Sequence, residues 1–168
     1  PGVTTILDIV DKGDDFHNYL KSNGFNADYL LKYAMDLGTT VHQLTEMFDK
    51  YPEKTITRQT IVNGEVKHEY SIESWIMFNK YIEFIKRFNP KIIAIEKTMC
   101  NDKLGYGGQL DRVIEIENEL CLIDIKTGKN IYPEYSTQLA AYKQLWDLTY
   151  PDNKIKRFGI LHLNAKTK

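Results

Sequence analysis

Apolar residues recur at helical spacing through Leu30, Tyr33, Leu37, Val41, Leu44 and Phe48, and Asn26 stands where an N-cap is expected. After Pro52 the period changes. Asn63-Gly64 sits between the β-favouring flanks TITRQTIV and EVKHEY, a strong hairpin signal. Ser71 then opens a second long helix, with Ile72, Trp75, Phe78, Ile82, Ile85 and Phe88 expected on its buried side and a stop before Pro90. The second half reads β-β-β-α-β. Strands are predicted over 91–99, 108–117, 119–127 and 157–164, and Pro133 starts a helix running through Leu139, Tyr142 and Trp146. These elements predict an α/β fold with a mixed central sheet flanked by helices. One domain over 1–168 is expected, with a mainly helical part to about 89 and the β-rich core over about 90–164.

Composition narrows the class. The 168 residues are 42% hydrophobic and 27% charged, the balance of an ordinary globular domain. No apolar run approaches the roughly 20 residues of a spanning helix, so no membrane is expected among its partners. No charged-then-apolar leader is visible, and a start at Pro1 rather than Met suggests an upstream segment. Cys100 and Cys121 form no CxxC or zinc-finger spacing and are expected as two buried, reduced thiols of a cytosolic protein. Twenty-two basic against 23 acidic side chains leave a net charge of −1, which by itself does not suggest nucleic acid. The distribution says more. Residues 1–52 hold eight acidic and four basic side chains, whereas 143–168 hold six basic and two acidic ones. That end could present a basic flank to a phosphate backbone.

The candidate chemistry lies in the second and third core strands. If their loop is Glu117-Asn118, Ile116 faces Glu119 and, counting back, Asp111 faces Asp124. A three-residue loop would put the two on opposite faces. Lys126 shares the face of Asp124 at period two. Two carboxylates and an ammonium on a half-buried sheet face are costly. They read either as a solvated salt bridge or as a site for a divalent cation, with oxygen ligands favouring Mg²⁺ or Mn²⁺. Gln138 and Tyr142, four apart, share one face of the following helix. His42 lies a turn beyond Gly38, at the edge of the apolar stripe. Gly105 to Gly108 precede a strand rather than a helix, which argues against a phosphate loop. These glycines fit a close approach to the start of the Asp111 strand.

Taken in order, GTTVH (38–42), IEKTM (95–99), GGQLDRV (107–113), LIDIKTG (122–128) and QLAAY (138–142) resemble the PD-(D/E)XK nuclease superfamily. The resemblance is nearest to its RecB-like exonuclease branch, which includes phage and mitochondrial members, and covers roughly residues 30–164. It implies a restriction-endonuclease-like core. It also implies that His42, Asp111, Asp124 and the backbone carbonyl of Ile125 hold one or two Mg²⁺ or Mn²⁺ ions. Lys126 would assist the attacking water, Glu96 would match an acidic residue of the preceding strand, and Gln138 and Tyr142 would organise the site and contact the strand. The four cysteines of the iron–sulfur members are missing, so no such cluster is expected.

The expected activity is metal-dependent hydrolysis of DNA phosphodiesters by a metal-activated water, exonucleolytic and therefore requiring a free end. Two alternatives stay open: a catalytically silent nucleic-acid-binding or scaffolding domain on the same fold, and an endonuclease of restriction type. No helicase or ATPase motif is present, which fits a stand-alone nuclease or a nuclease domain. The expected location is cytoplasmic (the host cytoplasm if phage-encoded), with a mitochondrial one left open.

Overall fold

The computed structural model describes residues 1–8 and 13–165. The chain runs through α1 (Val3–Leu7), α2 (Gly13–Asn23), a 3₁₀ turn (Gly24–Asn26) and the long α3 (Ala27–Lys50). A hairpin of β1 (Gln59–Val62) and β2 (Glu65–Glu69) leads to α4 (Ile72–Phe88). The core follows as β3 (Lys91–Asn101), β4 (Tyr106–Ile116), β5 (Glu119–Lys126), α5 (Glu134–Thr149) and β6 (Arg157–His162). The four core strands form one mixed sheet in the order β3-β4-β5-β6. The first two pairings are antiparallel, and β5 and β6 are parallel because α5 crosses between them. Among the described residues, no helix is long and apolar enough to cross a membrane.

Helices cover both faces of this sheet. On one side α1 and α5 bury Val3, Leu139, Leu145 and Trp146 against Val113 and Leu122. On the other, Val41 of α3 and Met77 and Tyr81 of α4 close over Ile125 and Leu163. Phe48 meets Phe78 edge-on at 5.9 Å between ring centres, locking α3 to α4.

Local chemistry explains the element ends. Asn63 and Gly64 take φ of 53° and 80°, both left-handed, as a two-residue turn matching the strand twist requires. Ser71 accepts the Ser74 N–H at 3.1 Å and caps α4, whose other end closes on Asn89 in the left-handed conformation. Three expectations need correction. Asn26 makes no side-chain cap, because the chain enters α3 through the 3₁₀ turn with Asn26 already helical. The centre of the buried side of α4 is Ser74, Met77, Phe78 and Tyr81, with Ile72 and Phe88 exposed. Periodicity marks an apolar half of the helix, and packing against α3 selects which line of it is covered. Cys100 is exposed, near the end of β3, and only Cys121 is buried.

The basic flank is also placed differently. Lys154 and Lys156 are exposed just before β6, and Arg157 stands opposite Cys121 while His162 stands opposite Lys126. Five strand residues, roughly 17 Å, separate that end from the level of Lys126. Arg157 is paired with Glu119 at 2.5 Å and Lys143 with Asp147, so neither is an uncommitted charge. Lys166 and Lys168 lie outside the described residues.

Candidate metal centre and active site

The β4–β5 turn is the two-residue one, with Glu117 and Asn118 at φ of 53° and 62°. It sets Ile116 opposite Glu119 and keeps register as far as Arg112 opposite Ile123. The next step along both strands is Asp111 beside Asp124. There the ladder gives way to a side-chain bond, in which the Ile125 N–H donates to Asp111 Oδ2 at 2.6 Å. On the other edge of β4, Ile95 faces Arg112 and Lys97 faces Leu110, which brings Glu96 level with Asp111. Three carboxylates therefore stand in a row across three neighbouring strands. Like charges so placed repel, and the surroundings must answer them.

His42 on α3 answers two of them. Its Nδ1 lies 3.7 Å from both Glu96 Oε1 and Asp111 Oδ1, and its Nε2 lies 3.1 Å from the Ile125 carbonyl. An Nε2–H donated to that carbonyl turns Nδ1 toward the carboxylates, as a proton carrier or as a lone pair for a cation. Donor atoms of His42, Glu96 and Asp111 all lie within 4.8 Å of one another. One nitrogen and two carboxylate oxygens at that spacing suit a small divalent ion. Gly38, one turn before His42, lets α3 approach the chain beyond β5, since a Cβ there would stand 3.2 Å from Thr127 Oγ1.

Asp124 is 2% exposed and sits beside this trio rather than in it. The Lys126 ammonium lies 2.8 Å from its Oδ2, although that oxygen lacks a well-aligned hydrogen bond. A buried carboxylate oxygen with unused capacity is the kind of group a cation satisfies. Gln138 Nε2 donates to Asp124 Oδ1 at 3.3 Å and to the Tyr142 hydroxyl at 3.1 Å. Both residues are buried, so the Gln-x-x-x-Tyr face of α5 holds the Asp124 side chain from behind. Lys126 also lies 4.8 Å from the ring centre of Tyr135, a cation–π contact that steadies the ammonium.

Electrostatics follow from burial. Removal from water pushes the Asp111 carboxyl up and Asp124 reinforces this, with His42 and the Ile125 N–H acting against them. Burial likewise raises Asp124 despite Lys126. Burial would also raise Glu96, but hydrogen bonding to His42 and Arg112 outweighs it and holds this carboxyl low. Burial disfavours a charged His42, yet its acidic neighbours prevail and raise it. Protons therefore compete with a cation for Asp111 and His42, and Mn²⁺ affinity is expected to rise steeply from about pH 5 to about pH 7.5. A titration of Mn²⁺ binding at a series of pH values checks this, and a flat profile would contradict it.

An open cleft of ≈ 480 Å³ fronts the trio, lined in addition by Gly38, Thr39, Gln43, Glu46 and Gln109. Sequence reasoning missed Glu46 and Gln109, as well as Arg112 and Asp49 behind the cleft. Glu46 lies one helical turn beyond His42, a signal that was available. Arg112 inside an apolar strand was another, because an arginine there must have partners.

The approach of α5 depends on glycine. A Cβ on Gly108 would stand 2.4 Å from Tyr142 Cε1, and one on Gly107 would stand 2.7 Å from the Met99 carbonyl. The ring of Tyr142 is buried and cannot step aside. Gly108→Ala is expected to cost about 1–3 kcal/mol by overpacking, read as a lower urea midpoint. Unchanged stability would show that α5 has slack at this contact.

A family model of the PD-(D/E)XK nuclease superfamily matches residues 16–167. The chain belongs to that superfamily, whose members are divalent-metal nucleases, and its mixed sheet with flanking helices has the corresponding fold. Comparison with curated proteins returns no match.

Proposed function

We propose that this nuclease is a DNA exonuclease of the RecB-like kind, using Mg²⁺ or Mn²⁺ held by His42, Glu96, Asp111 and Asp124. The observation that carries the proposal is the His42–Glu96–Asp111 trio at an open cleft, with the Asp124–Lys126 pair beside it. A bound divalent ion supplies charge neutralisation at the phosphate and a water acidic enough to attack near neutral pH. The protein's own part is positioning. Gln138 and Tyr142 fix Asp124, Asp124 fixes the Lys126 ammonium, and Lys126 donates a hydrogen bond that would orient the water and offset negative charge at the phosphate. The RecB-like branch and the preference for ends rest on the resemblance of GTTVH, LIDIKTG and QLAAY.

A cleavage time course on end-labelled linear DNA and on covalently closed circular DNA tests the proposal, with Mg²⁺, with Mn²⁺ and with EDTA. Linear DNA degraded from its end, circles left intact and no reaction in EDTA are expected. Nicked circles would establish an endonuclease instead, and binding without turnover in either metal would establish a silent domain.

A further inference from the structure

Behind the cleft, Arg112 is one of the largest fully buried side chains, at 1% exposure. Its side chain runs into the layer of α3 and α4, the same side of the sheet on which His42 of α3 meets Asp111. Its Nε donates to Asp49 Oδ2 at 2.6 Å and its Nη2 to Thr45 Oγ1 at 3.1 Å. The Tyr81 hydroxyl donates to the same Asp49 oxygen at 2.6 Å. The remaining nitrogen, Nη1, reaches toward the cleft. It donates to Glu96 Oε1 at 2.8 Å and to the Asp111 backbone carbonyl at 2.7 Å.

Neutralising a buried arginine requires only Asp49. The second carboxylate, Glu96, belongs to the cleft, and its backbone is unusual. Glu96 sits inside β3 at φ 45°, a left-handed conformation unfavourable for a residue with a Cβ, shortly after a register shift between Ile92 and Ala94. Such a residue persists only where its surroundings hold it. Two donors do so: Arg112 Nη1 on Oε1 and Gln109 Nε2 on Oε2 at 2.8 Å. One guanidinium nitrogen thus ties the side chain of one member of the trio to the backbone of another. Asp49 and Thr45 in turn fix that guanidinium to the helix carrying His42.

We infer that Arg112, anchored by Asp49 and Thr45, is a positioning residue that sets the Glu96 carboxylate for cation binding. The inference rests on the proposed metal site and adds a residue that acts on it from outside the cleft. A planar fork with donors in several directions is what four acceptors around one group require, and lysine keeps the charge without the fork.

Mn²⁺ affinity, followed by the loss of the free-ion electron paramagnetic resonance signal, provides a test independent of turnover. Arg112→Lys is expected to weaken binding roughly ten- to hundredfold, the effect typical of groups that orient metal ligands. Glu96→Gln should weaken it too. The double variant should bind no more than about threefold more weakly than Glu96→Gln alone, because Arg112 acts through Glu96. Ile155→Ala, a core truncation that touches neither residue, should keep wild-type affinity within about twofold. If circular dichroism shows Arg112→Lys unfolded, Thr45→Val, which deletes one guanidinium acceptor, takes its place with an expected loss of about threefold or more. Wild-type uptake with unchanged affinity in the folded variant, or fully additive losses, overturns this inference alone. A wild-type protein that takes up no Mn²⁺ overturns the metal site with it.

Discussion

Lys126→Ala is expected to lower the proposed metal-dependent DNA cleavage by about a thousandfold while leaving the fold intact. Its ammonium is the cation paired with Asp124, at 2.8 Å, and is partly exposed beside Tyr135. Removing it takes away a positive group placed to orient a water and to stabilise charge developing at the phosphate, an effect of order 10²–10³. It also leaves the buried Asp124 without its counter-charge, so that carboxyl, already raised by burial, moves further up and holds a proton more readily. Asp124→Asn should produce a loss of similar size from the other side of the pair. The double variant should be little worse than either single one, since the two act as a unit. Initial rates on end-labelled DNA measure all three, and circular dichroism reports the fold. A Lys126→Ala enzyme keeping more than about a tenth of wild-type activity would remove Lys126 from the machinery.

The largest effect on stability is expected at Asp49. Asp49→Ala leaves a guanidinium buried without its closest carboxylate and deprives the Tyr81 hydroxyl of its acceptor. Breaking a buried pair from one side costs about 3–5 kcal/mol, because the remaining charge is uncompensated. Against a total of about 5–15 kcal/mol for a domain of ordinary stability, that is enough to unfold a large share of molecules near body temperature. Glu96 is the other carboxylate on Arg112, and its position at the cleft edge limits how far it can compensate. Arg112→Met combined with Asp49→Ala should recover part of the loss, since the stranded charge is then gone. Urea denaturation of the two variants measures the difference. A single-variant cost below about 1 kcal/mol would mean that water or Glu96 satisfies Arg112 well enough.

Much of the fold was legible in the sequence because its signals are local. Asn63-Gly64 and Ser71 act on residues within a turn of themselves, and both do in the structure what their chemistry dictates. The two-residue Glu117-Asn118 loop carried the most information. One turn geometry fixes a register, and that register brings Asp111 and Asp124 side by side although they stand thirteen positions apart in the chain. The burial of Gln138 and Tyr142 was less legible. Spacing put them on one helix face, and the absence of a side chain at Gly108 let that face come close.

The sequence by itself thus determined the order of elements from α3 onward and the face shared by Asp124 and Lys126, and it narrowed the β4–β5 register to two choices, all consequences of backbone periodicity and turn chemistry. Tertiary structure alone decided which groups form the trio that could hold a cation. Glu96 enters through a left-handed residue in β3 and is bound by Arg112, which reaches Asp49 across 63 residues of sequence, and His42 enters through a helix seated by Gly38 and meets the Ile125 carbonyl across 83. Periodicity records which way a side chain faces, whereas the partner it meets is set by the packing of whole helices on the sheet. The same distinction separates Lys156 and Arg157 from the cleft, because strand register places the start of β6 at the other end of the sheet from Lys126.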